Sequence, residues 1–237
     1  LYYAQLKSVL AESRSLEEAA AFLPDDPLLR ESTGRMFVVA IDPQGYRARR
    51  SDPEVEEAIR LALDQEKVAM SLWDAVRAGR LKPTLIHGDP KLENFLFDSN
   101  TGKVKALVDL DTIMVFTWLA DYGDMIRSLV NVAGEKEPDL SRIGIDRDVF
   151  AAVTRGFVEA FEEIGEEERS LMAASCLAMV MELAIRFLAD WLRGDTYFKL
   201  GPKDPPELNR TRALVQFRLY RHMLEFREEA ERLVRGS

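Results

Sequence analysis

His87-Gly88-Asp89-Pro90-Lys91-Leu92-Glu93-Asn94-Phe95-Leu96-Phe97 is the stretch that decides how this chain is read, together with Asp109-Leu110-Asp111 beyond it. A polar loop runs straight into the apolar triplet Phe95-Leu96-Phe97. Asp98-Ser99-Asn100-Thr101-Gly102 is a dense turn signal, and Val104 to Val108 reads as a return strand. The pattern predicts a β-hairpin. A hairpin brings its outer ends together, so Asp109, at the exit of the return strand, is expected beside the loop that holds Asp89 and Asn94. Turn loops are rich in Asp and Asn for local hydrogen-bonding reasons. Asp-x-x-x-x-Asn alone therefore carries little. The weight comes from its combination with His87, the hairpin and the exit aspartate.

The expected product is a cluster of oxygen ligands, two carboxylates and an amide, with Asp111 close by. Hard cations such as Mg²⁺ take oxygen ligands, often only one or two carboxylates plus phosphate oxygens. Phosphoryl transfer uses such a metal to neutralise charge on the moving group, and a carboxylate to receive the proton of the attacking hydroxyl. Asp-x-x-x-x-Asn, a hairpin and then Asp supply these parts in the order found in protein kinases.

Outward from the hairpin, most of the chain reads as helix. Residues 1 to 22 are rich in Ala, Leu and Glu. Residues 24 to 51 read as irregular, with the turn signal Asp42-Pro43-Gln44-Gly45 and an apolar run, Met36 to Ile41, that suits a short strand or buried loop. A long helix is expected from Ser51-Asp52-Pro53, with Val55, Ile59, Ala62, Ala69, Trp73 and Val76 at helical spacing and Gly79 as its stop. After the hairpin, helices are expected from Asp121 to about Val132, from Asp146 to Gly165, from about Glu166 to Arg193, and from about Pro206 almost to the end. The predicted class is α+β, mainly α, with one inserted hairpin. Residues 1–80 read as helices and a connection, and residues 81–237 as the chemistry-bearing part of one structural domain.

The 237 residues suffice to bury a core, and with 47% hydrophobic residues the composition is not that of a disordered chain. A net charge of −9 argues against a sequence-blind nucleic-acid binder. The single cysteine, Cys176, excludes an internal disulfide and fits a reducing, cytoplasmic setting. The apolar stretch Leu171 to Met181 is shorter than the ~20 residues a membrane span needs, so a buried helix is expected. The basic run Arg47-Ala48-Arg49-Arg50 reads as a solvated loop. His222 has no ligand cluster around it, and Cys176 reads as buried among Ala, Leu and Met.

The segment His87 to Phe97 resembles the catalytic loop of the aminoglycoside phosphotransferase/choline kinase superfamily, whose members phosphorylate small-molecule hydroxyls on a protein-kinase-like fold. Asp109-Leu110-Asp111-Thr112-Ile113-Met114 and Asp121-Tyr122-Gly123-Asp124-Met125-Ile126-Arg127 are similar to the N-acetylhexosamine kinase branch. So are Arg186-Phe187-Leu188-Ala189-Asp190, Gly194-Asp195-Thr196-Tyr197-Phe198-Lys199 and Asn209-Arg210. The resemblance implies Asp89 as catalytic base, Asn94 and Asp109 as holders of Mg²⁺, and Lys91 as a cation for a phosphate oxygen of ATP. It implies His87, Asp121 and Asp124 as structural support, and Asp111, Arg186, Asp190 and Tyr197 as residues toward the acceptor. An Arg186–Asp190 pair on the helix surface, at i and i+4, is the competing reading. The branch often carries Asn in place of Gly88 and Pro-Gly after the methionine, where this chain has Val115-Phe116. These departures bear on the acceptor: a sugar first, an aminoglycoside or choline-like molecule as alternatives.

A kinase-like enzyme also needs a nucleotide-covering N-lobe. Before His87 there are only Lys7, Lys67 and Lys82, and the glycines Gly34, Gly45 and Gly79 stand far apart. No Gly-rich turn lies between alternating strands. The chain is thus expected to be a kinase-like C-terminal lobe, with the missing lobe supplied in cis or in trans. The leading Leu1 in place of Met reads the same way. A lobe acting as a non-catalytic binding or regulatory module is the alternative.

Overall fold

Asp52 and Pro53 start a helix for two separate reasons. The Asp52 carboxylate accepts from the backbone N–H of Glu54 at 2.9 Å and of Val55 at 3.5 Å. Pro53 occupies a first-turn position where its missing N–H costs nothing. The fold is given by a computed structural model, which describes residues 2–12, 18, 21–22, 43–161 and 163–237. The helices and strands, in chain order, are α1 (Tyr2–Leu10), α2 (Pro43–Arg50), α3 (Pro53–Asp64), α4 (Glu66–Ala69), α5 (Ser71–Arg77), β1 (Thr84–Ile86), β2 (Phe95–Phe97), β3 (Val104–Leu107), β4 (Met114–Phe116), α6 (Trp118–Val130), α7 (Arg147–Ala160), α8 (Glu166–Arg193) and α9 (Leu208–Arg235). They form two compact units. One comprises Leu1–Glu66 with Glu182–Phe217, the other Lys67–Met181 with Arg218–Ser237.

In the first unit, Leu6, Val9, Val55, Ala62, Ile185, Phe187 and Val215 are buried. The Tyr3 hydroxyl donates to the Ala62 carbonyl at 2.7 Å. Arg210 reaches Asp52 at 2.7 Å and Glu54 at 2.6 Å, tying α9 to the start of α3. The hydrogen bond from Arg210 is the main reason the Asp52 carboxyl is held below the ordinary carboxylate range.

In the second unit, α6 is the central element. Trp118 stacks on Phe157 at 6.1 Å and packs at a tilt against Phe161 at 4.7 Å, and the Tyr122 hydroxyl meets Thr154 Oγ1 at 2.8 Å. Gly123 lets α6 approach α8 closely, since a Cβ there would stand 2.6 Å from the Ser175 carbonyl oxygen. Two antiparallel ladders lie in this unit. β2 pairs with β3, Phe95 opposite Leu107, with an irregularity at Leu96/Phe97; β1 pairs with β4, Leu85 opposite Val115. Asp98 organises the β2–β3 turn by accepting from the N–H of Asn100 at 3.0 Å and of Thr101 at 2.9 Å.

Several expectations are corrected. The turn signal at Asp42-Pro43-Gln44-Gly45 opens α2, because Pro43 serves as a helix start. The basic run therefore lies on a helix rather than in a loop. Arg49 lies 4.0 Å over the Trp191 ring and pairs with Asp195 at 2.9 Å. The long helix after Asp52 is broken into α3, α4 and α5, at Gln65 and Met70, where neither Gly nor Pro marks the interruption. Gly79, at φ +70°, does end α5. α6 begins at Trp118 rather than after Asp121, capped by Thr117 Oγ1. α7 stops at Ala160, and Phe161 turns extended to reach Trp118. The N-terminal helix gives way to a turn at Ala11. The run Met36 to Ile41 lies outside the described residues. Helix α8 is long and apolar enough to cross a membrane, and its most apolar window is 67% buried within the protein. Among the described residues, no strand precedes Thr84.

Candidate active site

β1 delivers the chain into the loop His87–Lys91, and a single side chain fixes how that loop turns. The Asp121 carboxylate on the first turn of α6 accepts the backbone N–H of His87 through Oδ2 and of Gly88 through Oδ1, both at 2.8 Å. Gly88 has φ +83°, and a Cβ there would lie 2.6 Å from the Thr112 carbonyl oxygen. Only glycine fits that combination of conformation and crowding. The Asn common here in the sugar-kinase branch would not be accommodated without moving the 110–112 turn.

His87, 7% exposed, ties the loop to the far strand. Its Nε2 lies 3.0 Å from the Val108 carbonyl, and the Asp89 N–H approaches Nδ1 at 3.3 Å. With Nδ1 accepting, the proton belongs on Nε2, which then donates to Val108. Thr112 Oγ1 donates to the His87 carbonyl at 2.8 Å. The imidazole is thus spent on backbone contacts one residue before Asp109.

Asn94 lies in a short 3₁₀ turn, Leu92–Asn94, and is buried. Its Nδ2 donates to the Asp89 carbonyl at 2.8 Å and to Asp89 Oδ2 at 3.2 Å. The Val108 N–H donates to the Asn94 carbonyl at 2.9 Å, extending the β2–β3 ladder by one rung. That rung sets Asn94 opposite Val108, with Asp109 the next residue. Lys91 Nζ pairs with Asp89 Oδ2. The structure therefore brings together His87, Asp89, Lys91 and Asn94, with Asp109 one residue past the rung that joins Asn94 to Val108.

Asp109 has φ +68°, one of few non-glycine residues with positive φ among those described. Its side chain makes no hydrogen bond or ion pair among the described residues, and neither does that of Asp111, two residues on in the Leu110–Thr112 3₁₀ turn. A strained backbone that presents an uncommitted carboxylate is the usual signature of a functional position. Among the described residues no group of three or more His, Cys, Asp or Glu is spaced to hold a metal. A Mg²⁺ site made of one carboxylate, one amide oxygen and substrate phosphate does not need one. The Asn94 amide oxygen and the Asp109 carboxylate fit that donor set, since Asn94 turns its nitrogen toward Asp89.

Asp124 sits in the second turn of α6 and not at its start. It pairs with Arg127 at 2.6 Å, and Glu135 lies 3.5 Å from the same guanidinium. Arg127 is 6% exposed. Burial alone would lower its pKa, but Asp124 first, then Glu135 and Asp89, raise it, so the charge is retained. Sequence reasoning gave Arg127 no role; its i, i+3 spacing from Asp124 was the available signal.

Three residues expected toward the acceptor belong to the other unit. Arg186 pairs with Glu182 at 3.7 Å, one turn back, and lies 5.6 Å from the Phe198 ring. Tyr197 is 65% exposed. Asp190 is 4% exposed, and both its oxygens accept from the 196–198 loop, so it is not a free hydrogen-bonding edge for a ligand.

The loop thus sets the Asp89 carboxylate beside an amide and a lysine, braced by Asp121, with the Asp109 carboxylate at the hairpin exit. Residues 4–161 match the family model named APH, described as a phosphotransferase enzyme family. That span runs from α1 through the loop, both ladders, α6 and α7. By a match over more than half its length, the chain belongs to this kinase-like phosphotransferase family.

Proposed function

We propose that the protein transfers the γ-phosphoryl group of ATP, with Mg²⁺, to a hydroxyl of a small molecule. The observation that carries this is the Asp89–Asn94 pair at the hairpin with the free, left-handed Asp109 at its exit. Asp89 takes the proton of the acceptor hydroxyl as that oxygen attacks phosphorus, which keeps the nucleophile oriented in line. Asn94 fixes Asp89 through its amide nitrogen. Asn94 Oδ1 and Asp109 would hold Mg²⁺, which when bound offsets charge on the phosphate oxygens. Lys91 adds a cation beside the base and within reach of a phosphate oxygen. Asp121 and His87 hold the loop in register with the hairpin exit, so both act as positioning residues.

A sugar of the N-acetylhexosamine type is the first acceptor class. The support is the likeness of Arg186–Asp190, Gly194–Lys199 and Asn209-Arg210 to that branch. Asp111 is available to either the metal or the acceptor. A nucleotide-covering lobe, supplied in cis or in trans, completes this reading. A reducing, cytoplasmic compartment suits the free, buried Cys176.

The test is a phosphate-transfer assay on the full-length protein with Mg·ATP against N-acetylhexosamines, other sugars, choline and aminoglycosides. A phosphorylated N-acetylhexosamine, formed only with divalent cation present, is the expected product. Phosphorylation of choline or an aminoglycoside alone would move the acceptor class, and no transfer to any hydroxyl would remove the enzyme reading.

A further inference from the structure

His87 grips the acidic turn after β3 at both of its ends. Its Nε2 lies 3.0 Å from the Val108 carbonyl, one residue before Asp109. Its own carbonyl accepts from Thr112 Oγ1 at 2.8 Å, one residue after Asp111. Asp109, Leu110 and Asp111 therefore lie between two anchors that meet on a single residue, and Asp89 stands two residues beyond it. The second anchor begins where a ladder stops. β1 and β4 pair as far as Ile86 opposite Met114. Past that rung the chain leaves β1 into the loop. β4 is entered from the Leu110–Thr112 turn, whose following Ile113 N–H folds back to the Leu110 carbonyl at 3.3 Å. The Thr112 side chain carries the connection beyond the last paired residues.

Gly88 shows how closely the two segments approach. A Cβ there would stand 2.6 Å from the Thr112 carbonyl oxygen and 3.3 Å from the Thr112 Cβ. Thr112 is thus packed against one residue of the loop and hydrogen-bonded to the one before it. Its β-branched side chain has few χ1 states to lose, so holding the hydroxyl on the His87 carbonyl costs little freedom. The held turn is not one a chain adopts readily, because Asp109 is left-handed at φ +68°. Its placement matters if it carries a metal ligand, since a misplacement of about 1 Å in a reacting constellation can cost about 100-fold in rate.

We infer that Thr112 is a positioning residue that fixes the separation between the Asp109–Asp111 turn and Asp89 by holding the His87 carbonyl. This rests on the proposed roles of Asp89 as base and Asp109 as a holder of Mg²⁺. His87, Asp89, Asp109 and Thr112 all belong to one compact unit, so the inference needs nothing from the other.

The test compares Thr112→Val and Thr112→Ser in the full-length protein. It reads kcat, acceptor KM and the Mg²⁺ concentration for half-maximal rate. Amide hydrogen exchange of residues 87–89 and 109–113 in metal-free protein is a readout independent of turnover. Thr112→Val keeps the shape and loses the donor. It lowers kcat about tenfold or more, raises the Mg²⁺ requirement about threefold or more, and leaves acceptor KM unchanged. It also speeds exchange in both segments together. Thr112→Ser, which keeps the hydroxyl, restores the parental values. Parental kcat, Mg²⁺ requirement and exchange in Thr112→Val overturn the inference, and so does a Thr112→Ser that behaves like Thr112→Val. Thr112→Ala replaces Thr112→Val should that variant not fold; failure of both makes Thr112 a folding residue and also overturns it. Parental Mg²⁺ dependence in Asp109→Asn removes instead the reading of Asp109 on which the inference rests.

Discussion

Asp109 holds a left-handed backbone that costs a non-glycine residue about 1–2 kcal/mol. A residue kept there for stability alone would be glycine. Asp109→Gly is therefore expected to leave the thermal midpoint at or above that of the parent, while Mg²⁺-dependent turnover falls by about 100-fold or more. Calorimetry and a transfer assay on the same preparation check both halves. Gly88 is the opposite case. Gly88→Ala sets a Cβ 2.6 Å from the Thr112 carbonyl oxygen at a positive φ, and is expected to cost about 1–3 kcal/mol of unfolding free energy in urea titration. Asp89, Asn94 and Asp109 were legible in the sequence because their spacing and the turn between the strands fix their neighbourhood locally. The Val108 carbonyl that receives His87, the Thr112 hydroxyl and the Arg127–Asp124 pair were not. Backbone acceptors leave no mark on residue type, and a buried arginine looks like a surface one until the helix that carries it is packed.

At the scale of elements, α3 depends on one cap that does two jobs. Asp52→Ala removes both the N-cap and the partner of Arg210, and is expected to cost about 1–2 kcal/mol at neutral pH. The pH dependence follows from the carboxyl being held below its ordinary value by Arg210 and the cap N–H groups. A group depressed in the folded state stabilises above its unfolded pKa, and that contribution is lost as pH falls through the folded value. The difference between parent and Asp52→Ala urea midpoints should therefore shrink between pH 5 and the acid limb, and a constant difference would contradict the assignment. Pro43 and Pro53 show how far local signals reach. The capped start at Asp52-Pro53 was legible, but Asp42-Pro43-Gln44-Gly45 was misread as a turn because the same residues start helices. β4 was missed because Met114-Val115-Phe116 is too short to show alternation, and only pairing with β1 makes it a strand.

At the scale of the whole molecule, burial separates inert groups from exposed ones. Cys176 is 1% exposed and its thiol is pushed up to about 12 by burial. It should resist a thiol-specific disulfide reagent at pH 8 and react fully once the chain is unfolded in guanidinium; rapid native-state reaction would mean that the α6–α8 packing is wrong. In contrast, the cross-strand pair Leu85 and Val115 is 72% and 69% exposed, and Leu110 and Val104 are each 56% exposed.

The most direct test of the central claim is the rate of γ-phosphate transfer from Mg·ATP by Asp89→Asn in the full-length protein, with ATP affinity measured on the same sample. Loss of the proton-accepting carboxylate should lower turnover by about 10²–10⁴-fold with ATP affinity unchanged. Turnover close to that of the parent would show that Asp89 is not the base and that the site has been placed on the wrong residues.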